Sequence, residues 1–309
     1  MGLSPMAELC LVCEGEPNSI DATILKQVFV SVLGAGISIE SGGGIKGTGP
    51  IAAFLRRQRG GTVAYVNDRD YRPRDDAERA FADGQNGFLW RRHSIENYLL
   101  HPLVIRSALS RVKERFKPRA NAPGWLAALP DDTDEISDML RACAQSRAPE
   151  EACRMANHRL WKELPKSLGR IQKRNPPLDA VDDRIAPILW REALCQEVKR
   201  VSNSAAATAS CMVFSRQNAI RHFDASFDEI TAESYIGEME FLIDFHGLDL
   251  LGELRLRVSP GRNALPDDRL VLGAAAEYEA NPLLYGKDDF RDLANGVRAL
   301  AGLGPVGGP

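Results

Sequence analysis

The chain has 309 residues, 44% hydrophobic and 26% charged, which is typical of a folded protein with one large domain or two smaller ones. Its 39 lysines and arginines against 42 aspartates and glutamates give a net charge of −3, which excludes a generally basic, histone-like protein. No apolar run reaches the ~18 residues that a membrane helix needs, and the N-terminus lacks the pattern of a secretory signal. We therefore expect a cytoplasmic protein without a membrane partner.

The first hundred residues alternate between strand and helix patterns. Three β-type runs predict strands, at 8–13, 29–33 and 62–67. Between them lie helical spacing at 19–29, a loop at 34–49 with seven glycines, and a helix from Pro50 to Arg57. This order predicts an α/β fold with a parallel sheet flanked by helices. Cys10 and Cys13 form a C-x-x-C inside the first strand, and we expect them to be core residues rather than zinc ligands.

From Ser94 onward the pattern is mainly helical. Helices are predicted at 95–116, 134–144, 158–171 and 185–201, whereas 238–258 could form strands or a helix. We expect a catalytic core at 1–105, a mainly helical second region at 106–235, a C-terminal segment at 236–300 that completes the core, and a flexible tail at 301–309.

Three acids follow predicted strands, at the edge where parallel sheets bind ligands. Glu14 comes directly after the first strand, and Asp68 and Asp70 come after the third. In a still-extended chain Asp68 and Asp70 point the same way, and their oxygens suit a hard cation. We expect a site for Mg²⁺ or Mn²⁺, with Glu14 as a further ligand or a general acid/base.

The D-x-D pattern has two other interpretations. It could be an ordinary turn whose acids pair with Arg72 and Arg74. A hydrophobic strand followed by D-x-D also fits a haloacid-dehalogenase-type phosphatase, although Tyr71 replaces the Thr or Val usual there.

The loop at 34–49 lacks the G-x-x-x-x-G-K-[ST] pattern of a phosphate loop, which disfavours an ATPase. Its backbone N–H groups could still approach a phosphate, or the loop could be a simple connector. Glu40 within it is a possible additional acid. None of the five histidines has metal-ligand spacing.

The sequence resembles the Toprim family on two segments, LCLVCEGE at 9–16 and TVAYVNDRD at 62–70. Toprim domains occur in topoisomerases, primases and OLD-type nucleases, where the glutamate and the D-x-D motif bind a divalent metal for phosphoryl transfer. The similarity is closer to Toprim nucleases of anti-phage systems such as PARIS, which are encoded beside an ABC-type ATPase. It includes Ser19-Ile20-Asp21, the segment 92–100 before Pro102, and Tyr285-Gly286-Lys287.

The resemblance implies a site built on Glu14, Asp68 and Asp70 as metal ligands and catalytic residues. It adds Asp21 and Glu96 as further ligands and Lys287 as a catalytic residue that neutralises the transition-state phosphate. Many Toprim domains have an acid four residues after the glutamate, where this chain has Asn18. Asp21, one helical turn later, is expected to replace it.

Positive charge is concentrated in two stretches. Residues 91–119 hold eight Lys or Arg against two acids, and 154–174 hold seven against one. These could be solvated helix faces or parts of a nucleic-acid channel. The candidate nucleic-acid-binding residues are Arg91, Arg92, Arg111, Lys113 and Arg115.

We therefore expect a metal-dependent nuclease that cleaves DNA or tRNA. The resemblance implies a toxic effector of an anti-phage system that an ABC-type ATPase partner controls. A homodimer is the commonest oligomer for such a chain. The alternatives are the phosphatase above and a catalytically silent Toprim subunit that only binds or regulates.

Overall fold

The computed structural model describes residues 9–33, 35–82, 86–116, 124–163, 186–203, 214–259, 264–281 and 289–306. Within these ranges the sheet has four strands: β1 (Leu9–Cys13), β2 (Ile37–Ser41), β3 (Thr62–Asn67) and β4 (Gly87–Leu89). The strands are parallel and lie in the order β2-β1-β3-β4. The predicted α/β class, with a parallel sheet flanked by helices, is confirmed. The short strand β4 was not predicted.

Helices cover both faces of the sheet, which explains why the inner strand β1 is apolar. The helices around the sheet are α1 (Ile20–Lys26), α2 (Ile45–Arg59), α3 (Arg74–Ala82), α4 (Pro102–Phe116), α11 (Asp267–Ala280) and α12 (Asp289–Leu300). Both α2 and α12 pack against β1 and β3, while α11 packs against α4. All five residues of β1 are buried, as is usual for a parallel strand covered on both faces. Cys10 and Cys13 lie there with buried thiols, as predicted for core cysteines.

The second strand was placed wrongly from the sequence. Residues 29–33 continue α1 as a π-helical stretch (Gln27–Val32), and the strand lies instead at Ile37–Ser41, inside the predicted loop. The apolar run at 29–33 looked like a buried strand, but a buried helix has the same composition over a short window. The edge strand β2 is largely half-buried and carries serine and glutamate, which weakened its signal.

The following helix begins earlier than predicted. α2 starts at Ile45 rather than at Pro50, and Pro50 lies within it. Gly47 and Gly49 in its first turns are poor helix formers and concealed this start. The helix follows Gly44, whose φ of 112° is accessible to glycine.

The chain divides into two compact units, with boundaries that differ from the predicted domains. The first contains 1–138 and 242–309, and the second contains 139–241. The first unit includes, besides the sheet, two 3-10 turns (Ile95–Tyr98 and Gly124–Ala128) and the helices α9 (Phe241–Asp244) and α10 (Gly247–Val258). The predicted tail is folded at least to Val306, which is buried and whose N–H donates to Asn295 Oδ1 over 2.8 Å.

The second unit is helical in the part that the structure describes. It contains most of α5 (Thr133–Lys162), together with α6 (Pro187–Ser202), α7 (Arg216–Thr231) and α8 (Glu233–Gly237). Its core includes Leu160, Trp190 and Phe223. In the described ranges, no helix is both long and apolar enough to span a bilayer.

Candidate active site

Two of the predicted acids meet at the carboxyl ends of neighbouring strands. Glu14 directly follows β1 and Asp68 directly follows β3, which pair side by side. The Glu14 carboxylate accepts a hydrogen bond from the Asp68 backbone N–H over 3.2 Å. Both acids therefore lie at the sheet edge where open α/β folds bind ligands.

Gly15 allows a third acid to join them. Ser19 caps α1 by accepting the Ala22 N–H, and Asp21 lies in the first turn of that helix. A Cβ at Gly15 would lie 2.1 Å from Ser19 Oγ and 2.6 Å from Asp21 Oδ2. Only glycine fits there without a shift of Ser19 or Asp21. The tight turn after β1 thus places Asp21 beside the strand end.

Glu96 comes from a fourth segment and is buried. It lies in the 3-10 turn Ile95–Tyr98, which Ser94 and Asn97 close as a reciprocal capping box. The Asn97 side-chain amide also donates to the Phe245 carbonyl over 2.9 Å. The capping box therefore stabilises the start of this turn, and the hydrogen bond to Phe245 attaches the turn to the C-terminal part of the chain.

These four carboxylates, Glu14, Asp21, Asp68 and Glu96, are named here the acidic cluster. Burial raises the pKa of Asp21 to about 7, with further contributions from the charges of Glu96 and Glu14. Burial also raises the pKa of Asp68 well above its usual range. Further increases come from the charges of Glu96, Asp21, Glu14 and Asp70, in decreasing order. Four chain segments thus bring mutually repelling carboxylates into one place.

Asp70 differs from its predicted geometry. Its φ is 51°, so the D-x-D segment is a left-handed turn and not the extended chain that would point both side chains the same way. The Asp70 N–H donates to the His93 carbonyl over 3.0 Å, which holds this turn. Its carboxylate is 48% exposed and lies 3.8 Å from the Arg72 guanidinium. Arg74 pairs with Asp244.

Arg69, between the two aspartates, is almost fully buried, and its side chain stabilises the turn through hydrogen bonds. Its guanidinium donates to the carbonyls of Arg91, Arg72 and Ile243 and to the Asp244 carboxylate, over 2.6–3.0 Å. It therefore connects the D-x-D turn to residues 243–244, far along the chain. Its own side chain thus carries structural contacts, whereas Asp68 on one side of it belongs to the acidic cluster.

Arg91 and Arg92 serve the fold rather than an open basic surface. Arg91 is 15% exposed and forms ion pairs of 2.8–3.0 Å with Glu78, Asp289 and Asp292. Arg92 donates to the carbonyls of Asn97 and Leu242 and stacks over the Tyr98 ring at 5.0 Å. Because these contacts occupy both guanidinium groups, we leave both residues out of the nucleic-acid surface.

The other three predicted basic residues lie at the far end of α4. With a rise of 1.5 Å per residue, Arg111 lies about 14 Å and Arg115 about 20 Å from the start of the helix. Lys113 donates to the Leu129 carbonyl over 2.9 Å. Arg115 is exposed. Of these three residues, Arg115 is therefore the most accessible to a nucleic acid.

Two further residues, Lys287 and Glu40, were considered as site residues from the sequence. Lys287 falls outside the described residues. Glu40 lies in β2 and forms an ion pair of 2.9 Å with Arg59 at the end of α2. We therefore assign Glu40 no place in the acidic cluster.

Part of the glycine loop contacts the end of β1. The Gly42 N–H donates to the Cys13 carbonyl over 2.7 Å, and the Gly44 N–H to the Glu14 carbonyl over 2.6 Å. A Cβ at Gly42 would lie 2.6 Å from Thr48 Cγ2. These N–H groups are committed to backbone carbonyls, which favours the connector interpretation over a phosphate cradle.

The acidic cluster has the chemistry of a cation site without preformed ligand distances. Among the described residues, no three His, Cys, Asp or Glu side chains are arranged to hold a metal ion. No described lysine or arginine forms an ion pair with Asp21, Asp68 or Glu96. Carboxylate oxygens suit Mg²⁺ and Mn²⁺, so the donor set fits, and binding requires the side chains to rotate.

Sequence reasoning missed the residues that reach the site from the C-terminal part of the chain. Asp244 binds Arg69, Asp289 accepts hydrogen bonds from Tyr98 and Arg91, and His246 lies next to the contact of Phe245 with Asn97. None belongs to a recognisable motif, and the contacts that connect them with the first hundred residues span at least 148 positions.

Comparisons of the chain with protein-family models, curated proteins and solved structures found no match. The interpretation of the site therefore depends on its geometry and on the resemblance of its motifs.

Proposed function

We propose that this chain is a metal-dependent nuclease that cleaves phosphodiester bonds in DNA or tRNA. The observation that carries the proposal is the convergence of Glu14, Asp21, Asp68 and Glu96, from four chain segments, at the carboxyl edge of a parallel sheet. Carboxylates held close together repel one another unless a proton or a cation offsets their charges. A bound divalent cation would offset the charges of all four, of which Glu96 is buried and the others are partly buried.

The cluster supports a particular division of roles. Glu14, Asp68 and Asp70 are the proposed ligands and catalytic residues, with Asp21 and Glu96 as further ligands. Mg²⁺ or Mn²⁺ bound there would activate water and neutralise charge on the phosphate. Two further roles come from the resemblance and from charge: Lys287 next to the phosphate, and Arg111, Lys113 and Arg115 on distant backbone phosphates.

The cellular role is a proposal that rests on the Toprim resemblance. The resemblance favours a Toprim-like fold for this chain. It also favours a role as a cytoplasmic toxic effector of an anti-phage system that an ABC-type ATPase partner controls. A homodimer is proposed on general grounds.

The first test is metal binding and cleavage by the purified chain. Wild type, Asp68→Asn and Glu114→Gln are incubated with Mg²⁺ or Mn²⁺ and duplex DNA, single-stranded DNA or total tRNA. Glu114 is an exposed acid on α4 and is the matched control. We expect cleavage by wild type and Glu114→Gln and loss of cleavage in Asp68→Asn. Mn²⁺ should raise the melting temperature of wild type and raise that of Asp68→Asn much less.

Equal cleavage by wild type and Asp68→Asn would sink the proposal. Binding of Mn²⁺ without cleavage, even after the ATPase partner is added, would favour the catalytically silent subunit. Release of phosphate from small monoesters with no attack on diesters would favour the phosphatase.

A further inference from the structure

His246 lies beside the acidic cluster, although nothing in the sequence marks it. The residue before it, Phe245, accepts a hydrogen bond from the Asn97 side chain over 2.9 Å. The residue after it, Gly247, packs so closely that a Cβ there would lie 2.9 Å from Glu96 Cβ. With consecutive Cα atoms 3.8 Å apart, the His246 Cα lies within about 8 Å of Glu96 Cβ.

A carboxylate holds one edge of the His246 ring. His246 Nδ1 lies 3.2 Å from Asp249 Oδ2, across the first turn of α10, where residues three apart share a face. The Nδ1 atom is buried and forms no hydrogen bond, so its contact with Asp249 is an ion pair that requires a protonated imidazole, while the side chain as a whole is 39% exposed. An imidazole oriented by a carboxylate at Nδ1 can exchange a proton at Nε2.

Aromatic contacts connect this ring to the D-x-D turn. The His246 ring packs edge-on against His93, with centroids 5.4 Å apart. His93 in turn packs edge-on against Tyr71 at 4.8 Å, and its carbonyl accepts the Asp70 N–H. The ring of His246 therefore packs against a residue whose backbone holds the D-x-D turn.

We propose that His246, oriented by Asp249, is the general acid that protonates the leaving oxygen during phosphodiester cleavage. This role rests on the proposed nuclease function. Water oxygen forms the new bond to phosphorus, the bond from phosphorus to the leaving oxygen breaks, and the proton on His246 Nε2 passes to that oxygen. The proton lost by the attacking water passes to solvent, and the imidazole is reprotonated from solvent, so a diester and water give a monoester and an alcohol.

The chemistry explains why such a group is useful here. A sugar alkoxide is a poor leaving group, and His246 would be a proton donor that is not itself a proposed metal ligand. A positioned general acid contributes about 10²–10⁴-fold to the rate. The simpler interpretation is a surface pair at a helix start, where Asp249 only complements the helix dipole.

The test compares two substrates that differ in their leaving group. Wild type, His246→Gln, Asp249→Asn and Glu253→Gln are assayed on the nucleic acid that wild type cleaves and on bis(p-nitrophenyl) phosphate. The p-nitrophenolate leaves as an anion without protonation. Glu253 lies one turn further along α10, pairs with Arg257, and is the matched control.

We expect His246→Gln to lose about 10²–10⁴-fold in nucleic-acid cleavage and to retain most of its activity on the activated diester. Asp249→Asn should show a smaller loss with the same selectivity, and Glu253→Gln should match wild type. Affinity for Mn²⁺, measured by calorimetry, should be the same in all four proteins.

A parallel loss on both substrates, or no loss on either, overturns the role of His246 while leaving the nuclease proposal intact. Wild type that cleaves neither substrate overturns the nuclease proposal, and the role of His246 with it.

Discussion

His101 illustrates how a single buried residue responds to its surroundings. It directly precedes α4, and its Nδ1 accepts the Leu103 N–H over 3.3 Å, which satisfies one donor of the first helical turn. Burial and, to a smaller extent, the positive charge of Arg92 together lower the pKa of His101 to about 4. The folded protein therefore holds this imidazole neutral where an unfolded chain would protonate it.

This predicts a loss of stability in acid. Between pH 6.5 and about 4, the unfolded chain binds a proton at His101 that the folded chain does not, so the free energy of unfolding falls as the pH falls. His101→Asn keeps an acceptor for Leu103 but has no proton to gain. Urea denaturation across this range should show a shallower fall for the variant, and identical slopes would contradict the prediction.

Single residues also show how far the site could be read from the sequence. Glu14 and Asp68 were found because each follows a strand that its neighbours define locally. Asp244 and His246 could not be found, because the contacts that bring their segment to the site span 148 or more positions and no motif joins them. The left-handed turn at Asp70 was also hidden, since buried Arg69 imposes it through contacts with residues 243–244.

At the scale of structural elements, hydrogen bonds join the D-x-D turn to the segment Leu242–Phe245. Arg69 donates to Ile243 and Asp244, while the His93 N–H donates to the Ile243 carbonyl over 2.6 Å. A buried guanidinium with its donors satisfied holds both segments in place. The proposed metal ligands on the turn thus depend on a segment that carries none of them.

Arg69→Met should therefore weaken both the fold and metal binding. We expect a loss of about 3 kcal/mol in the free energy of unfolding, because Asp244 loses its buried partner. Mn²⁺ affinity should also fall at temperatures where the variant is folded. Arg74→Met is the control: Arg74 pairs with the other Asp244 oxygen but is 47% exposed, so its loss should stay below about 1 kcal/mol. Equal losses in the two variants would contradict the proposed role of Arg69 in holding the D-x-D turn to residues 243–244.

The elements differ in how predictable they were. β1 and β3 are buried β-type runs bounded by turns, and α1 has a capping serine, so the sequence located all three. β2 was missed because a half-exposed edge strand needs few apolar residues, whereas the nearby helical turn Gln27–Val32 is rich in them. Helix and strand share an apolar composition when both are short and buried.

At the scale of the whole molecule, the first unit is built from two distant parts of the chain. Residues 242–309 return after the second unit and supply α10, α11 and α12. Leu270, Val271, Phe290, Leu293 and Val297 from these helices are buried. The sheet alone therefore does not complete the core of this unit.

A chain that ends at residue 241 should fail to form a native first unit. Each buried apolar side chain contributes about 2 kcal/mol, and the stability of a domain is only about 5–15 kcal/mol. Loss of near-ultraviolet circular dichroism and gain of dye binding would report this state. A chain that ends at Val306 keeps the described contacts of α12 and is the control. Native spectra for the shorter chain would contradict the expectation.

The dependence of the D-x-D turn on Ile243 and Asp244 has a consequence for the order in which the parts of the protein are synthesised. A ribosome that has delivered residues 1–138 has already delivered every carboxylate of the acidic cluster. It has not yet delivered Ile243 and Asp244, which fix Arg69, or His246. Nascent chains and premature-stop fragments thus carry the proposed ligands without the groups that arrange them. Under the proposed function, this order of synthesis would keep incomplete copies inactive in the cell that makes them.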